Sequence, residues 1–232
     1  MRRIFVLGHS HLTALQRARI EAGAGPEMAF CGVTHADFHP ESVEGRLHPA
    51  IMAQIEAMPA ELYVSMLGGN DHCVLCLVND PRPFDFVLPE APELYTDPGA
   101  EIVPAGMLRA ELLRRVTGHL DTLAAFRATV RGPMLHVESP PPIPSAAFIA
   151  INPDTFGPLL AARGAAPGLL RYKMWRLHSG LYREACERLG ITFLPAPREM
   201  QDEHGMLPPE AWRDATHANT LYGRHVLAQI LA

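Results

Sequence analysis

Short apolar runs alternate with longer stretches at helical spacing along this chain. Ile4–Leu7 is an apolar run closed by Gly8, after which Leu12, Leu15 and Ile20 recur on one face of a helix. Met28–Val33 repeats the strand-like pattern. Ile51, Ile55 and Met58 keep helical spacing and lead into a third run, Glu61–Leu67, closed by Gly68-Gly69. From Met107 to Val130, the residues Leu108, Leu112, Leu113, Val116 and Leu120 mark a long helix. Met134–Val137 predicts a fourth strand, Leu169–Leu189 a helix, Ile191–Leu194 a fifth strand and Ala218–Leu231 a last helix. Strands that are apolar throughout are covered on both faces, as parallel strands between helices are. The pattern predicts one three-layer α/β/α sandwich over residues 1–232, with a central, mainly parallel five-stranded sheet.

Two segments break this rhythm. Residues 72–106 carry prolines at 81, 83, 89, 92, 98 and 104 with acidic residues between them, and residues 140–168 are rich in Pro, Gly and Ala. Long loops without regular structure are usually functional. Both leave the carboxyl ends of strands, where open parallel sheets bind ligands. They are expected to be insertions covering a cleft.

Composition narrows the function classes. Among 232 residues, 48% are apolar and 19% charged, enough to bury a core. Lys plus Arg number 20 against 25 acidic residues, a net charge of −5, so no global attraction to a phosphate backbone exists and nucleic acid is not an expected partner. No apolar run approaches the ~18 residues of a membrane span. After Met1-Arg2-Arg3 the apolar stretch Ile4–Leu7 is too short for a secretory signal, and a cytoplasmic chain is expected. Cys31, Cys73, Cys76 and Cys186 include one C-x-x-C, but its flanks (Val74, Leu75, Leu77, Val78) are apolar and no second pair exists. The four read as small apolar residues in a reduced compartment. Twelve histidines, many near strand ends, raise the question of a metal site.

Three segments can do chemistry. Ser10, in Gly8-His9-Ser10-His11, lies between the first strand and the first helix. The helix N-terminus there favours developing negative charge, so the hydroxyl can act as a nucleophile beside an N–H donor; capping of the helix is the alternative. Gly68-Gly69-Asn70-Asp71-His72 ends the third strand. Its glycines permit a tight turn and close approach, and the Asn70 amide can donate into the cleft; an ordinary Gly-Asn turn is the alternative. Asp214-Ala-Thr-His217 precedes the last helix. An aspartate three residues before a histidine can accept from the imidazole and leave its other nitrogen to take a proton from a serine; a helix cap with a surface histidine is the alternative.

Taken together, the order and placement of these blocks resemble the SGNH hydrolase superfamily, also called GDSL esterases, over most of the chain. Gly68-Gly69-Asn70-Asp71 matches that family's Gly-x-Asn-Asp block. Asp214-Ala-Thr-His217 matches its Asp-x-x-His, and Gly8-His9-Ser10-His11 resembles its Gly-Asp-Ser block with His9 in the aspartate position. The resemblance implies a flavodoxin-like sheet, with Ser10 as nucleophile, His217 as base and then acid, and Asp214 orienting it. It also implies an oxyanion hole from the Ser10 N–H, the Asn70 amide and a backbone N–H after strand two, at Gly32 or by spacing at His35. His9, His11, His35, Gly69, Asp71 and His72 would line the cleft. His119, His136 and His178 are expected to be ordinary structural or surface residues. No metal or organic cofactor is implied, and the partner is a small-molecule ester.

The expected activity is hydrolysis of a carboxylic ester, a short acyl group on a polar or sugar-like alcohol. An SGNH-type O-acyltransferase keeps the same site with a different acceptor. A metal-dependent phosphoesterase built on the His/Asp residues is a different class; Gly8-His9-Ser10-His11 resembles its Gly-His-x-His block, but no early Asp-x-His accompanies it. A non-catalytic binding module would need no such set of residues.

Overall fold

In the computed structural model, which describes residues 2–232, the five apolar runs form one sheet. Strands β1 (Arg3–Gly8), β2 (Glu27–Gly32), β3 (Leu62–Met66), β4 (Met134–Val137) and β5 (Thr192–Leu194) lie in the order β2-β1-β3-β4-β5. Every pairing is parallel, with Leu7 opposite Cys31 on one side and Ser65 on the other. The sheet is therefore wholly parallel, the limit of the mainly parallel one expected.

The alternation along β1 divides the core in two. Phe5 and Leu7 face the layer of α2 (Pro49–Ala57), α4 (Ala105–Thr129) and α7 (Gly168–Leu189); Ile4 and Val6 face α1 (Leu12–Ala22) and α8 (Thr220–Leu231). Ile4, Val6 and Leu7 are wholly buried, each contributing about 1.5–3 kcal/mol of transfer free energy. The long helices fall within two residues of their expected ends. Helix α7 stops where Gly190 takes the left-handed conformation that a C-terminal cap requires (φ 64°).

Both insertions carry ordered structure that their composition conceals. Residues 72–106 continue α3 (Asp71–Cys76) and include a parallel ladder pairing Phe84–Asp85 with Glu101–Ile102. A buried ion pair ties this segment to α7. Lys173 Nζ lies 2.5 Å from Asp85 Oδ1 and donates to the carbonyls of Phe86 and Tyr95. Residues 140–168 contain α5 (Ala146–Ile151), started by the Ser145 side chain accepting from Phe148 N–H, and α6 (Gly157–Arg163). Arg171 of α7 donates to the carbonyls of Ile143, Pro144 and Ala166, holding this segment down. All four cysteines are free and buried. Among the described residues, no helix is long and apolar enough to cross a membrane.

Candidate active site

The chain runs outward from β1 to β2 and returns to place β3 on the other side of β1. The crevice at that reversal, at the carboxyl ends of β1 and β3, is where an open α/β sheet presents ligand-binding groups. Ser10 follows β1 and Gly68–Asn70 follow β3, so both blocks arrive there by topology alone.

Ser10 Oγ lies 2.7 Å from His217 Nε2, across 207 positions of sequence. His217 Nδ1 lies 2.8 Å from Asp214 Oδ1, and the same oxygen accepts from the backbone N–H of His217 and Thr216. The Asp214 contact puts the proton on Nδ1 and leaves the Nε2 lone pair for the serine hydroxyl. Burial pushes the Asp214 carboxyl up, but the hydrogen bonds from the His217 ring and from Thr216 N–H outweigh it and hold the group below its ordinary value. The capping alternatives fail. The Ser10 side chain faces His217, α1 has no side-chain cap, and α8 is capped by Asn219, which accepts from Leu221 and Tyr222 N–H. The Ser10 N–H has no backbone partner among the described residues.

Asn70 does not cap the helix it precedes. Its Oδ1 lies 3.0 Å from His11 Nε2, and its Nδ2 faces Thr216 Oγ1 at 3.5 Å. His11 is buried, and burial first, then the neighbouring His217, drive its pKa down to about 3. A neutral His11 donates from Nε2 to Asn70 Oδ1, which fixes the amide with Nδ2 on the side of Thr216, the residue before His217. The two glycines before Asn70 have separate causes. At Gly68 (φ +74°) an added Cβ would meet the Tyr182 hydroxyl, and at Gly69 (φ +119°) it would meet the His11 ring at 2.4 Å.

His9 takes no part in the Ser10–His217–Asp214 chain. Its Nδ1 accepts from Gly68 N–H at 2.7 Å and its Nε2 lies 2.6 Å from Glu41 Oε1. The His119 ring stands edge-on to it at 4.7 Å, and Asp71 Oδ2 is 3.7 Å from His119 Nε2. His119 thus belongs to this polar cluster, where an ordinary structural or surface residue was expected. His136 and His178 do lie in the core. His136 bonds Ser65 Oγ at 3.0 Å and stacks on Tyr182, while His178 packs between Tyr182 and His72.

Three expected placements are corrected. Val33 N–H donates to Gly8 O, so the alternation of an edge strand turns the Gly32 N–H to the open side of β2, away from β1 and Ser10. His35 is exposed on the turn before Ala36–Phe38, paired with Asp37 at 3.0 Å. His72 is buried in α3 beside Cys73 rather than on the rim, with its pKa driven to about 3 by burial and by Arg171. It lines a cavity of ≈ 10 Å³ beside Ala215 and Thr216, room for one water-sized group.

Sequence reasoning misses Glu41 and Asp154. Asp154, in the 140–168 insertion, has a positive φ of 49° and brings Oδ2 to 3.8 Å from His217 Nδ1. Two sets of side chains cluster as metal ligands would: His9, Glu41 and His119, and Asp154, Asp214 and His217. Neither set suits a cation. Gly68 N–H occupies the His9 Nδ1 lone pair, so the proton sits on Nε2, and His217 Nδ1 carries its proton toward Asp214.

No family model matches the sequence, and no curated protein matches it. Solved structures do. The periplasmic domain of a lipopolysaccharide acetyltransferase from Salmonella ser. Paratyphi A superposes with a TM-score of 0.53 at 11% identity, over 99% of this chain and 82% of that one. A Bacteroides fragilis protein assigned as an acylhydrolase gives 0.51 at 12% identity, over 99% and 85%. A GDSL-like lipase from Bacteroides thetaiotaomicron gives 0.45 at 12% identity, over 99% and 86%. What the chain shares with the first two is the fold, an α/β/α sandwich on a parallel five-stranded sheet.

Proposed function

We propose that this chain is an SGNH-type serine hydrolase of carboxylic esters. The observation that carries the reading is the continuous chain Ser10 Oγ–His217 Nε2 at 2.7 Å and His217 Nδ1–Asp214 Oδ1 at 2.8 Å. As Ser10 Oγ bonds to the acyl carbon, His217 takes its proton. The Ser10 N–H and Asn70 amide receive the oxyanion. The C–O bond to the alcohol then breaks, and His217 returns the proton to the leaving oxygen. Water, deprotonated by His217, releases the acid. The polar residues around Ser10, among them His11, Asn70 and Thr216, support a short acyl group on a polar or sugar-like alcohol over a long-chain lipid.

Transfer of the acyl group to a second alcohol is the alternative. The likeness to an acetyltransferase domain over 99% of this chain favours weighing it, as does the 140–168 insertion, whose Asp154 reaches to 3.8 Å from His217. Ser10→Ala should abolish p-nitrophenyl acetate hydrolysis with the fold intact, and a fluorophosphonate probe should label Ser10. Wild-type activity in the variant would overturn the reading. Product analysis with an added alcohol separates transfer from hydrolysis.

A further inference from the structure

Residue 9 stands where the SGNH pattern expects an aspartate, and the ring in its place does two things at once. Nδ1 accepts from Gly68 N–H at 2.7 Å, which places its proton on Nε2, and Nε2 lies 2.6 Å from Glu41 Oε1. The backbone of His9 is held as well, its N–H donating to Met66 O. Gly68 opens the three-residue turn that ends in Asn70, so the hydrogen bond to His9 anchors the first residue of that turn. Glu41 is buried, and its Oε2 has no protein partner. An aspartate Oδ1 stands where an imidazole Nδ1 does along the side chain and would accept the same N–H. Beside Glu41, however, it would create two adjacent buried carboxylates, which do not both stay ionised.

We propose that His9 and Glu41 act as a coupled pair of positioning residues that hold the Gly68–Asn70 turn against Ser10. The identities at the two positions are then interdependent. His9 works because Glu41 accepts its Nε2 proton and fixes the tautomer that leaves Nδ1 free for Gly68. An aspartate at position 9 needs a neutral donor at position 41. This inference rests on Ser10 being the nucleophile only for its effect on rate. The tautomer and the coupling are properties of the folded chain.

The test has two arms. Nitrogen chemical shifts of the His9 ring in the wild-type protein should show protonated Nε2 and unprotonated Nδ1 at neutral pH. Protonation at Nδ1 would overturn the proposal whatever the enzyme does. In the second arm, kcat and KM for p-nitrophenyl acetate are measured for His9→Asp and for His9→Asp/Glu41→Gln, with thermal melts alongside. Loss of one oxyanion donor costs ~10²–10³ in rate, so a displaced Asn70 should cost His9→Asp about 10–100-fold in kcat with KM little changed. The double variant should recover to within about fivefold of wild type, because Gln donates to the new carboxylate. Wild-type kcat in His9→Asp, or no recovery in a folded double variant, would refute the coupling. If wild-type protein hydrolyses no ester and Ser10 takes no probe, the functional reading fails while the tautomer measurement still decides this one.

Discussion

His11→Leu should slow ester hydrolysis without removing any group of the Ser10–His217–Asp214 chain. The ring is neutral at pH 7, its pKa driven to about 3 by burial and by His217, so it has a single N–H to give. That N–H points at Asn70 Oδ1 across 3.0 Å, while Nδ1 is buried with no partner. The other end of the Asn70 amide meets only Thr216 Oγ1 at the long distance of 3.5 Å. His11 is therefore the main restraint on which way the amide faces. Losing one neutral hydrogen bond costs about 0.5–1.5 kcal/mol, or about 2- to 13-fold in rate. Losing the oxyanion donor altogether costs ~10²–10³-fold. A leucine fills the space without donating, so the amide rotates between two faces and the loss falls between these limits, about 10–100-fold in kcat. KM should change little, because the amide matters most to the charge that develops in the transition state. The assay is steady-state hydrolysis of p-nitrophenyl acetate, with melting temperature as the control and His11→Gln as a variant that keeps an amide donor. A folded His11→Leu protein with kcat within twofold of wild type would refute the role of His11 in aiming Asn70.

Asp214→Asn leaves Asp154 Oδ2 3.8 Å from His217 Nδ1, so a second carboxylate remains to face the imidazolium. The double variant Asp154→Asn/Asp214→Asn should lose about tenfold more in kcat/KM than Asp214→Asn alone, and equal rates would show that Asp154 does not reach the base. Stability should fall on acidification. His11, His72 and His136 are held to about 3, chiefly by burial, and His178 lies well below its ordinary 6.5. The unfolded chain regains the ordinary value, so between about pH 6.5 and 3 it binds more protons than the folded one, and His11, His72 and His136 each remove about 1.4 kcal/mol per pH unit across that window, with His178 acting in the same direction. A urea midpoint unchanged from pH 7 to 4.5 would contradict this, and His136→Phe should flatten the slope by one proton. Lys173→Met strands the buried Asp85 carboxylate. It should cost about 3–5 kcal/mol, a drop of about 10 °C or more in melting temperature.

What the sequence determines by itself is the part of the structure governed by local periodicity. Strands β1, β3 and β4 are legible because a parallel strand covered on both faces is nearly continuously apolar, its rare polar members paired as Ser65 and His136 are. The long helices are legible because burying one face imposes a 3.6-residue repeat. The Gly68-Gly69-Asn70-Asp71 block is legible as a glycine turn at a strand end, but the need for glycine is tertiary, since a Cβ would meet the Tyr182 hydroxyl and the His11 ring. The short helices α3, α5 and α6 span one or two turns each and carry too few positions for a repeat to show among the prolines. Whether Ser10 caps a helix or faces a base is not a local question, because both roles suit the same turn. Its partner lies 207 residues away, and only the packing of α1 against α8 brings them together. Glu41 and Asp154 give no sequence signal because each acts through a ring supplied by a distant segment. Gly32 is settled by the hydrogen-bond alternation along β2, which composition does not encode. Local periodicity builds the sheet. Tertiary structure decides which polar groups meet at its carboxyl edge, because each of those contacts is made between elements and not within them.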